Sequence, residues 1–229
     1  MKTIWIIDYD DTLIPTSLIG KYINNNNKMD FFTLNNLLIN FIYIYLLLDK
    51  IKNDTVYILT ASLKPWVSSS LDFLHKILIN NIENIDINYI KKNTKYYNNN
   101  IINKLLYKET NILTNMLDDF VKIYYVSTIE NDIYDNTERH NKYNSMKFII
   151  ELNNNIDNVI SVGDNYNNEG KVTIKLSEEY PKKIFKFIKF DDGQITYLSK
   201  LNELKSLIDN IKLFKNDKTN SIYTNKINT

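Results

Sequence analysis

Three short, largely apolar stretches constrain the fold of this chain more than anything else in it: "TIWII" at 3–7, "TVYILT" at 55–60 and "NVISVG" at 158–163. None alternates strictly between polar and apolar residues. Each therefore reads as a strand buried on both faces, the pattern of a parallel sheet covered by helices on either side. "KIYYVST" at 122–128 predicts a further strand. Helical patterns fall between these runs. They cover 33–50, a helix opened by Pro65 with Val67, Leu71, Leu74 and Leu78 on one face, a helix ending near Phe120, one over 145–153 and a closing one over 197–214. Strands alternating with helices argue for an α/β protein with a doubly wound, mostly parallel sheet. The alternation in "IDINYI" (85–90) predicts a strand and "KVTIKL" (171–176) a short one, and the polar end of the chain looks frayed. The expected organisation is one core over 1–214 and a flexible tail over 215–229. Residues 80–120 are either a small insert or part of the main domain.

Composition narrows the partners. In 229 residues, 28 basic side chains balance 27 acidic ones, so there is no general basic field for a nucleic-acid backbone. The absence of cysteine excludes a disulfide framework, a thiolate metal site and a cysteine nucleophile. The longest apolar run, 37–48, is interrupted by Asn40 and falls short of the roughly 18 to 20 residues that cross a bilayer. It predicts a buried helix and no membrane partner. The N-terminus meets acid too early for a secretory signal, so the expected location is cytoplasmic. The asparagine runs read as loops and polar surface.

In open parallel sheets ligands gather beyond the carboxyl ends of the strands. Asp8 and Asp10 follow the first strand, Thr60 ends the second, Ser127 lies at the end of another, and Gly163 and Asp164 end a fourth. Asp8, Asp10 and Asp11 place three acids within four positions, and such charges repel unless a cation is held between them. A phosphate monoester brought to such a site adds about two more negative charges. Attack on it then requires a divalent cation and a fixed ammonium.

These residues carry a resemblance. "DYDDT" fits the D-x-D-x-T signature of the haloacid dehalogenase-like superfamily. "VYILTAS" looks like that family's second motif, Lys147 in "NSMKFII" is placed like its third-motif lysine, and "VISVGDNYNNE" resembles its fourth. The four occur in the family's order over residues 4–169. "TASLKPWVSSSLDFL", "SVGDNYNNEG" and the closing "FKFIKFDDGQITYLSKLNELKSLIDNI" are similar to members found in algae, protists and large DNA viruses. The resemblance implies a Mg²⁺-dependent phosphatase acting on a phosphorylated substrate, with Asp8 as nucleophile and Asp10 as general acid and base. It implies a metal held by Asp8, the Asp10 carbonyl and Asp164, with either Asn168 or Glu169 completing the site. It implies phosphate contacts from Thr60, Ala61, Lys147 and Ser127, and Lys142 is the rival to Lys147. Asp11 occupies the variable position of the motif, and Trp66 reads as core or pocket wall. With little room for a cap between Asp8 and Thr60, the cleft is expected to be open, which favours a large substrate. Two alternatives stand beside this reading. One is a binding or regulatory domain that kept the fold without turnover, motivated by Asn168. The other is a nucleic-acid 3′-end phosphatase using lysines such as Lys91, Lys92 and Lys95.

Overall fold

Five consecutive buried residues, Thr3–Ile7, form β1 at the centre of the sheet. In the computed structural model, which describes residues 1–25, 29–125, 142–191 and 196–224, β1 pairs in parallel with β2 (Thr55–Thr60) on one side and β4 (Asn158–Gly163) on the other. Adding β3 (Val121–Tyr125), β5 (Ile184–Lys189) and β6 (Ser221–Thr224) gives a six-stranded sheet of order β3-β2-β1-β4-β5-β6, every pairing parallel. The strand order reverses between β1 and β4, which makes that crevice the topological switch point of a Rossmann-like α/β fold.

Period-two side-chain geometry divides the strands between two cores. Trp5, Ile7, Val56, Ile58, Ile160 and Val162 face the larger one, whereas Ile4, Ile6, Tyr57, Leu59 and Val159 face the smaller. The larger core is covered by α1 (Thr16–Asn25), α2 (Phe31–Ile51), α3 (Trp66–Asn80), α4 (Ile87–Asn93), α5 (Asn99–Leu105), α6 (Ile112–Phe120) and α9 (Tyr197–Asn216). The smaller core is covered by α7 (Lys142–Leu152) and α8 (Lys171–Glu179). Among the described residues α2 alone is long and apolar enough to cross a membrane, and most of it is buried against the rest of the chain. The 80–120 segment belongs to the main body, because Ile90, Ile102, Leu105 and Leu113 lie in the larger core.

Several sequence expectations are corrected. Residues 85–90 are not a strand: Asp86 accepts from the Asn88 and Tyr89 backbone N–H groups and caps α4. Residues 171–176 are helical, and the i, i+4 spacing of Val172 and Leu176 puts both in the smaller core. The strand over "IFKFIK" was hidden by Lys186, a fully buried lysine whose Nζ donates to Asn158 Oδ1 at 2.9 Å. The tail expected over 215–229 is ordered through Thr224. Helix α9 runs to Asn216, Asp217 accepts from Thr219 and Ser221, and the Tyr223 ring meets Phe214 at 4.8 Å as β6 pairs with β5.

Candidate active site

Register decides which strand ends meet. Ile7 pairs with Ile58 and with Val162, and the ladder continues one step further where Asp8 N–H donates to Val162 O at 2.9 Å. Asp8 thus stands at the carboxyl edge beside the ends of β2 and β4, the neighbours that carry Thr60 and Asp164. The chain then folds into a single tight turn in which the N–H groups of Leu13 and Ile14 both point at Tyr9 O, at 3.0 and 3.1 Å. Asp11 takes a left-handed conformation there, φ 52°, a region that Asp tolerates better than most residues. Its carboxylate accepts from the Ser17 N–H at 2.9 Å and from the Ser17 hydroxyl. Asp11 closes the loop, and its charge is among those that raise Asp164.

Asp8 is 7 % exposed, and among the described residues one lysine answers its charge. Lys142, in the first turn of α7 and 5 % exposed, donates from Nζ to Asp8 Oδ1 and, at 2.5 Å, to Glu169 Oε1. The Thr12 hydroxyl reaches Asp8 Oδ2 at 3.2 Å. Burial pulls the ammonium down, but Asp8 and Glu169 outweigh it and hold Lys142 well above its ordinary range. Burial raises both acids in spite of Lys142, Asp8 above its usual value and Glu169 to about 7. Asp164, half-buried, is pushed up to about 6 by burial and then by the charge of Asp8. Two carboxylates thus share one bridging ammonium, and its charge is also felt by a third, Asp164.

The turn after β4 is shaped to bring Glu169 back into this group. Asn165 caps a π-helical turn, Tyr166–Gly170, by accepting from the N–H groups of Asn167 and Asn168. Glu169 Oε2 accepts from the Asn165 N–H at 3.1 Å, which leaves Oε1 for Lys142. Gly163 makes room: a Cβ there would lie 2.8 to 2.9 Å from the Glu169 side chain. Glu169 is thus engaged on both oxygens as the partner of Lys142, and half-buried Asn168 contributes its backbone to the Asn165 cap.

Asp10, two residues from Asp8, has a different setting. Its Oδ2 accepts from the Ser62 hydroxyl at 2.6 Å and the Thr60 hydroxyl at 3.2 Å, and its Oδ1 accepts from the Trp66 indole N–H at 2.8 Å. Ser62 N–H in turn donates to Thr60 Oγ1 at 3.0 Å.

Of the two lysines weighed for this group, the structure sets Lys142 and not Lys147 beside Asp8. Lys147 sits on an exposed face of α7 and pairs with Glu179 at 3.0 Å. Five residues of α-helix rotate a side chain by about 140° relative to its starting face, so Lys142 and Lys147 cannot both face Asp8. Ala61 is exposed beside Thr60, and Ser127 lies outside the described residues. Sequence reasoning also missed Lys200. It is buried in the first turn of α9, donates to Asp191 O at 2.8 Å and lies 3.4 Å from Glu203 Oε2. The Phe190 N–H donates to Gly163 O at 2.9 Å, tying this corner to the end of β4, and the Lys200 charge favours ionised Asp164. No motif marks Lys200, and a lone lysine in an amphipathic helix gives no signal.

Among the described residues no three His, Cys, Asp or Glu side chains form a metal cluster. Asp8 and Asp164 are each raised by burial, and Asp164 by the charge of Asp8 as well, a condition that a nearby cation would relieve. No family model, curated protein or solved structure matches the chain.

Proposed function

We propose that this chain is a magnesium-dependent phosphohydrolase of the haloacid dehalogenase-like kind, acting on a phosphate monoester through a phosphoryl group carried on Asp8. The observation that carries the reading is the pairing of buried Asp8 with Lys142 at the switch point, with Asp164 beside it and Asp10 held separately by neutral donors. An attacking carboxylate needs a fixed cation near it and an acid that does not share its charge environment.

Asp8 and Asp164, with the Asp10 carbonyl, would hold the magnesium, which supplies positive charge against the phosphoryl oxygens. A carboxylate oxygen of Asp8 forms the new bond to phosphorus as the ester P–O bond breaks, and Asp10 delivers its proton to the departing oxygen. Asp10 then takes a proton from the water that attacks the acyl phosphate, releasing inorganic phosphate and the Asp8 carboxylate. Lys142 stabilises negative charge on Asp8 and is itself held by Glu169. Thr60, fully buried at the end of β2, gives its one hydroxyl proton to Asp10 Oδ2 and so helps to hold the acid.

The purified protein should hydrolyse an aryl phosphate with Mg²⁺, and Asp8→Asn should lower turnover on the order of 10⁴-fold. Undiminished turnover in Asp8→Asn would remove the nucleophile from this account. A non-hydrolytic binding domain is the second reading, favoured by Asn168 at a position where the resemblance calls for an acid. It takes over if the wild type is inert toward a broad panel of phosphate esters.

A further inference from the structure

The residues between β2 and α3 are arranged around Asp10 in a way that none of the motifs explains. Three donors from seven consecutive residues converge on one carboxylate: Thr60 and Ser62 on Oδ2, Trp66 on Oδ1. Each carboxylate oxygen has about two acceptor sites. Two hydroxyls fill those of Oδ2, whereas the single indole N–H leaves one site on Oδ1. Oδ1 is the oxygen on which a proton can be carried without breaking any of the three contacts.

The indole is itself fixed. It opens α3, and the next turn of that helix is anchored to the β1 loop, where the Tyr9 hydroxyl meets Ser70 Oγ at 2.7 Å and Val67 O at 3.3 Å. Tyr9 lies between Asp8 and Asp10, is 1 % exposed, and burial holds its phenol far above the ordinary range, so it remains a neutral strut. The same two-residue step of backbone thus carries Asp10 and the tie that sets where Trp66 stands.

We propose that Trp66, assisted by Ser62, is a positioning residue for Asp10: the indole N–H and the Ser62 hydroxyl fix the rotation of the carboxyl group so that the open site on Oδ1 faces the leaving oxygen of the ester. The inference rests on the phosphohydrolase reading for its consequence in catalysis, but not for the contact itself. In the first half-reaction the proton on Oδ1 passes to the ester oxygen as its bond to phosphorus breaks, which leaves Asp10 as carboxylate with all three donors still in place. The indole and hydroxyl neither gain nor lose a proton.

A residue that orients a general acid matters in proportion to how badly the leaving group needs the proton. The test compares kcat/KM for an alkyl phosphate and for 4-nitrophenyl phosphate, whose leaving group departs without protonation, in wild type, Trp66→Phe and Ser62→Ala. The ratio of alkyl to nitrophenyl kcat/KM should fall about tenfold in Trp66→Phe and by a smaller factor in Ser62→Ala. Loss of both activities by one common factor in either variant, or no loss, overturns the proposal. A general disturbance of the fold lowers both substrates together, and Ser62→Ala decides the matter should Trp66→Phe not fold. A second measurement does not need turnover. The chain has two tryptophans, the other being Trp5, whose Nε1 donates to Asp54 Oδ2 at 3.0 Å. Of the two indole N–H resonances in a ¹H–¹⁵N spectrum, the one lost in Trp66→Phe should move upfield in Asp10→Ala while the other stays. If that resonance does not move, the contact is absent and the proposal fails even in an active enzyme. If the wild type is inert and the resonance moves, the phosphohydrolase reading fails while the Trp66 contact stands.

Discussion

Asp8 and Asp10 are separated by one residue, yet the molecule surrounds them with opposite kinds of chemistry. Around Asp8 are ions: Lys142 bridging to Glu169, with Asp164 close by and Lys200 behind it. Around Asp10 are dipoles: two hydroxyls and an indole N–H, all neutral. The ionic half carries more carboxylate than ammonium in a buried setting, a condition that favours a further cation. The dipolar half fixes a carboxyl group in space through neutral donors. Under the proposed function, two acids of the same type would take different tasks, nucleophile on one side and proton carrier on the other.

The strongest way to break this contrast is to remove Lys142, the one bridging cation among the described residues. Lys142→Met takes from buried Asp8 and Glu169 the counter-charge they share and should cost about 3–5 kcal/mol of stability, measured by urea unfolding, with turnover lost. If stability is unchanged, the ionic half is not held together as described. Next in size is Gly163→Ala. The added methyl meets the Glu169 side chain at under 3 Å and displaces it from Lys142, and the cost should be about 1–3 kcal/mol. Restored stability in Gly163→Ala combined with Glu169→Ala would localise the clash.

A smaller effect reads the excess of negative charge directly. The carboxyl of Asp164 is raised from 3.8 to about 6, so folding favours its protonated form. Its contribution to stability is complete below its unfolded value and is lost as the pH rises through about 6. Across roughly pH 4 to 7 without divalent cations, the thermal midpoint should therefore decline more steeply in wild type than in Asp164→Asn, and Mg²⁺ should remove the difference. Equal slopes would remove Asp164 from the group. The smallest effect belongs to Lys147→Ala, which breaks an exposed pair with Glu179 and should leave turnover within about twofold of wild type. A large loss there would return the role to Lys147.

The strands β1, β2 and β4 were legible because burial on both faces of a parallel sheet writes itself as continuous apolar sequence. With them came Asp8, Asp10, Thr60 and Asp164, whose place follows from the strand ends alone. Strand β5 was not legible, since Lys186 interrupts its apolar run and only the distant Asn158 explains how a lysine sits there. "KVTIKL" alternates like a strand while also carrying helical i, i+4 spacing, and periodicity over so few residues does not separate the two. Lys147 was preferred to its rival Lys142 because α7 was expected to begin at 145, three residues later than it does, which put Lys147 in the first turn. The contact between Trp66 and Asp10 spans 56 residues and depends on how α3 leaves β2. No local pattern encodes it.

The central claim, that Asp8 receives a phosphoryl group, is open to direct capture. In Asp10→Asn the step that frees phosphate from Asp8 lacks its base, so a substrate with a good leaving group, 4-nitrophenyl phosphate, should load the protein and stall. Acid-quenched protein analysed by peptide mass spectrometry should then show one phosphoryl group on the peptide containing Asp8, dependent on Mg²⁺ and absent from the Asp8→Asn/Asp10→Asn double variant. A phosphoryl group found on another residue, or none on Asp8 while the wild type turns over, would contradict the account.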